Sequence, residues 1–215
     1  LNIEEISFSS KNNFKFKINK NFKIKNLDIK SKIDLEKFKL NNFLKLKDVF
    51  PKIKNDFIFK DHKIKLQYKK DNLNINGEGE VSLQNEDDVI KYEINKRKKD
   101  FKFDTTLNIS KNSFKKDLLN FEKKENSNLK LNLRGKKNIK ENLIFDEISL
   151  TENENFIRIK NLILSSKNKI NDIGKININY IDKDNFKNNV QVTKKNEDYL
   201  ISGSSFNLDK IIEKL

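Results

Sequence analysis

Apolar and polar residues alternate along most of this chain, and that period of two constrains its fold more than any other feature. Phe14, Phe16 and Ile18 alternate with Lys15 and Lys17, and Ile64, Leu66 and Tyr68 with Lys65 and Gln67. The pattern returns at Ile90, Tyr92 and Ile94, then at Phe101, Phe103, Thr105, Leu107 and Ile109. It continues at Leu129, Leu131 and Leu133, at Ile157 and Ile159, at Leu162 and Leu164, at Ile176, Ile178 and Tyr180, and at Val190 and Val192. Successive side chains of a strand point to opposite faces, so each run has one apolar and one polar side. Phe, Ile, Val and Tyr suit a pleated surface, and Ala, the best helix former, is absent.

Polar segments separate the runs: Lys11-Asn12-Asn13, Lys70-Asp71-Asn72, Asn85 to Asp88, Lys167-Asn168-Lys169 and Lys195 to Asp198. Asn and Asp tolerate the left-handed backbone of tight turns. Short connections between strands predict an antiparallel meander of about a dozen strands or more. Two stretches depart from the alternation. Residues 32–56, which end near the single proline, Pro51, predict an interruption, a short helix or irregular edge segments. At the end, Asn207 can cap a helix over 207–215, where Leu208, Ile211, Ile212 and Leu215 make one apolar stripe.

Composition narrows the function classes. The 215 residues include 46 basic and 32 acidic side chains, a net charge of +14, and 17 Phe. Such a charge favours disorder, but a disordered chain is poor in large apolar residues. Arg97, Arg134 and Arg158 are the only arginines, and Lys, Asn, Ile and Phe dominate, as AT-rich codons would supply. Part of the charge therefore says nothing about a partner. Residues 1–70 hold 19 lysines against 8 acids, so the basic end is the N-terminal third. There is no Cys, hence no disulfide or thiolate metal site. No apolar run reaches the roughly 18 residues of a membrane-spanning helix. Without any Met, the sequence reads as a piece of a longer chain.

The motifs of catalysis are missing. His62, in Lys60-Asp61-His62-Lys63, reads as a solvated surface residue, because metal and triad sites need convergent partners. Gly77 and Gly79 precede no Lys-Ser/Thr and read as strand glycines that allow close approach or a bend. Gly135 reads as a turn. Asp87-Asp88 and Glu152 with Glu154 read as loop acids without the spacing of a calcium loop. The chain is therefore expected not to be an enzyme and to need no metal or cofactor. Nucleic-acid binding is also not expected. A single-strand platform needs aromatics and cations on one surface, whereas Phe14 and Phe16 alternate with Lys15 and Lys17.

A large sheet must hide its apolar face. A sandwich or a barrel fits the alternation, and so does a sheet curled into a gutter whose floor is covered by apolar ligand. The C-terminal half resembles the AsmA-like superfamily, in particular its YhdP-type bacterial branch. The resemblance lies in Phe101 to Ile109, Leu118 to Lys124, Asn128 to Leu133, and above all in the ending Tyr199 to Ile212. There a strand, Gly203, Ser205, Phe206 and Asn207 lead into a short apolar helix, with Asn207 in place of the commoner Asp. It covers about 75–215 in pattern and 1–74 in style.

The resemblance implies one groove segment, 1–215, of a longer chain. Its fold is all-β: an elongated, curled antiparallel sheet with an apolar concave face and a short C-terminal helix. It implies a periplasmic protein, anchored to the inner membrane by a segment outside this sequence. Its partners are phospholipid acyl chains and the membranes at the ends of the parent chain. Its function is passive conduction of phospholipids between inner and outer membranes. The groove is expected to be lined by Phe101, Phe103, Leu107, Ile109, Leu131, Leu133, Ile176, Ile178, Tyr180, Val190 and Val192. Lys15, Lys17, Lys23 and Lys25 read as a solvated face, with attraction of anionic headgroups as the other reading. The competing functions are a ligand-free structural module, a closed sandwich in outer-membrane assembly, and, as a third class, a basic nucleic-acid-binding domain.

Overall fold

The structure is a computed structural model and describes residues 3–41, 47–124, 126–137 and 142–213. Twelve strands form one open antiparallel sheet that curls but does not close into a barrel. Its first six strands are β1 (Ile3–Ile18), β2 (Ile24–Asn41), β3 (Asp56–Lys69), β4 (Asn72–Ser82), β5 (Asp87–Arg97) and β6 (Asp100–Ile109). The chain then leaves the sheet for β7 (Lys115–Lys116), a 3-10 turn at Asp117–Leu119 and β8 (Phe121–Glu122), which pair only with each other. It returns as β9 (Leu129–Lys137), β10 (Leu143–Glu152), β11 (Asn155–Leu164), β12 (Ile170–Ile181), β13 (Lys187–Lys195) and β14 (Asp198–Ser205). Every strand of the large sheet pairs with its predecessor in that sheet, so the order is a plain meander with β9 beside β6.

Asn, Asp and Lys residues, with Phe22, take the left-handed backbone of the described turns, and glycine does not. Phe22 apart, each non-glycine residue with positive φ is Asn, Asp or Lys, among them Asn153, Asn168, Asn185 and Asn196 in the hairpin turns of the C-terminal half. No described glycine has positive φ. The glycines lie inside strands, and at Gly77, Gly79 and Gly135 a neighbouring ring lies against the backbone. A Cβ on Gly77 would sit 2.3 Å from the ring of Tyr92, and one on Gly79 2.3 Å from the ring of His62. This fits the close-approach reading of that pair. Gly135 is not a turn residue. It lies in β9, where a Cβ would meet the Ile144 carbonyl oxygen at 2.3 Å and the Phe103 ring at 2.9 Å.

Three other expectations are corrected. Residues 32–41 are neither a helix nor an irregular segment; they are the second half of β2, paired to β3 through Asn41↔Asp56. A bulge at Glu36 and Asp61 shifts the apolar spacing there and hides the period of two. Only 47–55 are irregular, and 42–46 lie outside the described residues. Lys11-Asn12-Asn13 is the middle of β1, not a turn. The C-terminal helix is one turn, α1 (Asp209–Ile212), capped by Asn207, whose Oδ1 accepts from the Asp209 N–H at 3.0 Å. The last two residues of the predicted helix lie outside the described residues.

Inserting one carbon into a filled site typically costs about 1–3 kcal/mol. Gly77→Ala is expected to lower unfolding free energy by about that amount in urea titrations. In a Tyr92→Ala background, where no ring lies over the backbone, the same substitution should cost less than half as much.

Candidate functional site

Antiparallel pairing puts directly opposed residues on the same face, so the register shows what each face carries. One transverse row runs Ile90, Leu107, Leu131, Leu150, Ile157, Ile178, Val190 and Gly203 from β5 to β14. A second runs Ile33, Ile64, Gly77, Tyr92, Thr105, Leu133, Ile148, Ile159, Ile176, Val192 and Ile201 from β2 to β14. A third runs Leu66, Ile75, Ile94, Phe103, Gly135, Phe145, Leu162 and Ile173. Bulges at Asp146 and beside Asn161 keep Phe145 and Leu162 in line with it. Phe103 and Phe145 meet edge to face at 5.7 Å.

The opposite face is charged and self-paired. Lys63 meets Asp34 at 2.9 Å, Lys91 meets Glu78 at 2.8 Å, and Arg134 meets Glu147 at 3.7 Å. A hollow of about 590 Å³ lies on this face, walled by Lys32, Asp34, Lys63, Lys65, Glu78 and Lys91. An acyl chain there would strip water from the charged ends without replacing it, so this hollow is no lipid site.

One end of the apolar face is closed by a cap built from 47–54, 83–86, 110–124, 126–127, 182–186 and α1. Phe50, Phe114, Phe121 and Tyr180 form a chain of edge-to-face rings at 5.5, 6.2 and 5.5 Å over Ile109 and Leu129. Buried polar side chains pin the cap to the sheet. Asp88 accepts from the Ser110 N–H at 3.2 Å and from Asn112 Nδ2 at 2.8 Å. Glu152 accepts from the Lys124 N–H at 2.9 Å and from the Ser127 hydroxyl. Gln84 accepts from the Lys52 N–H at 3.0 Å and donates to the Ser113 carbonyl at 2.7 Å. The Tyr180 hydroxyl donates to the Leu119 carbonyl. Asp88 and Glu152 are thus buried strand residues, not loop acids. Their pattern was hidden because each occupies an inward position where the cap offers it N–H donors. Burial pushes the Asp88 carboxyl above the usual range, against its hydrogen bonds.

His62 is the other correction. It is fully buried on the apolar face, with Nε2 2.9 Å from the Glu80 carbonyl and Nδ1 3.3 Å from the Tyr92 hydroxyl. The bulge at Asp61 turns it inward between Phe59 and Tyr92.

All eleven expected groove residues lie on this one face, but in two environments. Ile109 and Tyr180 are sealed under the cap and belong to closed core, as do Leu107, Ile178 and Val190 at its margin. Leu131 and Ile176 are half-buried and pack against that core, while Phe101, Phe103, Leu133 and Val192 are half-buried and stand outside it. Among the described residues, Phe103, Leu133 and Val192 belong neither to the closed core nor to the side chains packed against it. Ile148, Ile159 and Phe145 join the same rows and share the same alternation; the cap aromatics Phe50, Phe114 and Phe121 fall in irregular segments that carry no periodic signal. The total accessible surface is 14877 Å², against about 10,400 Å² for a compact chain of this mass. Comparison with known protein families, curated proteins and solved structures gives no match to this chain.

Asp182 gives the cap a pH dependence. Burial opposes its charge, but the Phe186 and Asp184 N–H groups at 2.9 and 3.0 Å and the amides of Asn120 and Asn207 hold its carboxyl below the ordinary range. A folded-state value below the unfolded one gives stabilisation that is complete above the unfolded value and is lost as pH falls through the folded one. Melting temperature is expected to drop as pH falls through the lower carboxylate range. Asp182→Asn should be less stable at pH 7 and lose less on acidification, read by calorimetry.

Proposed function

We propose that this chain is a segment of a lipid-conducting groove, of the kind the AsmA-like resemblance implies, in a bacterial envelope. Phospholipids would lie with their acyl chains on the apolar face and pass from strand to strand between the inner and outer membranes. The observation that supports this best is the continuity of the second and third rows beyond the cap. The second runs from β2 to β14 and the third from β3 to β12, with no charged side chain in either. Eleven strands at about 4.8 Å spacing extend the second row over roughly 48 Å, room for several acyl chains side by side. Each methylene kept from water is worth about 0.8 kcal/mol, so a 16-carbon chain left in water costs about 12 kcal/mol. A floor without hydrogen-bonding demands removes most of that cost at every point, and sliding needs no specific contact. Movement along it is passive, and any energy source lies elsewhere.

The chain purified from a bacterial host is expected to carry phospholipid, detected by mass spectrometry of an organic extract. Leu133→Asp, on the open part of the face, should reduce the lipid-to-protein ratio severalfold. Asn132→Asp, one residue away on the opposite face, should leave it unchanged. A wild-type chain that extracts empty would favour the ligand-free structural module, and equal loss from both variants would remove the groove from the explanation.

A further inference from the structure

We infer that the β1–β2 hairpin tip, residues 14–25, is a docking element for the surface of an anionic lipid bilayer. The inference extends the conduction reading, because a lipid conductor must meet a membrane, but different residues carry it. Pairing between β2 and β3 ends at Asp28↔Lys69, so Ile24 to Leu27 project about 13 Å past the neighbouring strand. Ile18 and Ile24 face each other there, and Phe14 stacks beside Phe16 at 6.4 Å. Phe22, at the turn, is 89% exposed.

The backbone of Phe22 is the telling feature. Its φ of 56° is a left-handed conformation that costs a bulky residue energy and that an Asn would adopt more easily. At every other non-glycine position with positive φ this chain uses Asn, Asp or Lys. The turn itself is well held. Asn19 Oδ1 accepts from the Asn21 and Lys23 N–H groups at 3.0 and 2.9 Å, and the Phe22 N–H donates to the Asn19 carbonyl at 2.9 Å. Local structure thus presents a phenyl ring to solvent in a place where a polar residue would fold better.

Charge points to the occupant. Lys15, Lys17, Lys20, Lys23 and Lys25 surround these apolar residues, and no acid occurs between Lys11 and Leu27. Among the described residues none of the five forms an ion pair, whereas lysines farther across the same polar face pair with Asp or Glu. Lys17 is directly opposite Lys25, and Lys11, Lys32 and Lys65 stand in one transverse row. Like charges in opposed positions repel unless an anion lies over them. Exposed apolar side chains among unpaired lysines match a bilayer whose headgroups are negative: the apolar tip enters the acyl boundary and the lysines remain at the phosphates.

The test is co-sedimentation of the full chain with vesicles of phosphatidylcholine containing 30 mol% phosphatidylglycerol, against phosphatidylcholine alone. Binding is expected only to the anionic vesicles and should weaken with salt. Lys20→Gln and Lys23→Gln should each reduce it about fivefold. Phe22→Ser should reduce it about tenfold or more while leaving the urea midpoint unchanged or raised. Absence of binding to the anionic vesicles overturns the inference. So does binding that Phe22→Ser leaves intact, or a fluorescent oligonucleotide bound as tightly as the vesicles and with no dependence on Phe22; either result marks plain cation–polyanion attraction. The two proposals fail separately. An empty extract with Phe22-dependent vesicle binding ends conduction and keeps the docking tip, and a lipid-loaded chain that ignores vesicles does the reverse.

Discussion

The antiparallel ladder is the constraint on which the rest depends. It places opposed residues on the same face, so twelve strands with a period of two sum to one apolar and one charged surface only if no register slips. The structure keeps that parity even where strands deviate. The bulges at Glu36, Asp61 and Asp146 insert residues without sending Leu35, His62 or Phe145 to the wrong side. Extra residues in one strand bend it and raise local twist, so the same devices that preserve the face also curl the sheet.

Glycine and asparagine have exchanged their common duties. The hairpins of the C-terminal half turn on left-handed asparagines, and Gly77, Gly79 and Gly135 are left for places where a ring lies against the backbone. Tyr92 over Gly77 and His62 over Gly79 thicken the face without adding a layer. The cap does the remaining work at one end. Its rings close the core from Ile109 to Tyr180, and its backbone N–H groups are bonded to inward carboxylates and amides such as Asp88, Glu152 and Gln84. The buried carboxylates make sense only with the cap in place, because without those donors each would be a charge on an apolar surface.

Local periodicity made the sheet and the choice of face readable from residues alone. Leu131, Ile176 and Val192 needed only strand alternation to be placed together. What depends on distant partners was not readable. His62 looked solvated because its neighbours in sequence are charged, while its neighbours in space are Phe59 and Tyr92. Gly135 looked like a turn because the need for a bare backbone arises from Phe103 and Ile144 on adjacent strands. The cap was invisible for the same reason. Phe114 and Phe121 lie in an irregular excursion whose meaning comes from Tyr180, some sixty residues on. The split of the expected groove residues into closed core and open floor follows from that missing cap.

The central claim is that acyl chains lie on the apolar face beyond the cap. The chain contains no Trp, so a single one introduced by substitution reports its own surroundings. Phe103→Trp sits on that face and Lys102→Trp on the other. With lipid brominated along the acyl chain, the account predicts strong quenching of the indole at 103 and little at 102. Equal quenching at both positions, or none at 103 in protein that holds the brominated lipid, would contradict it.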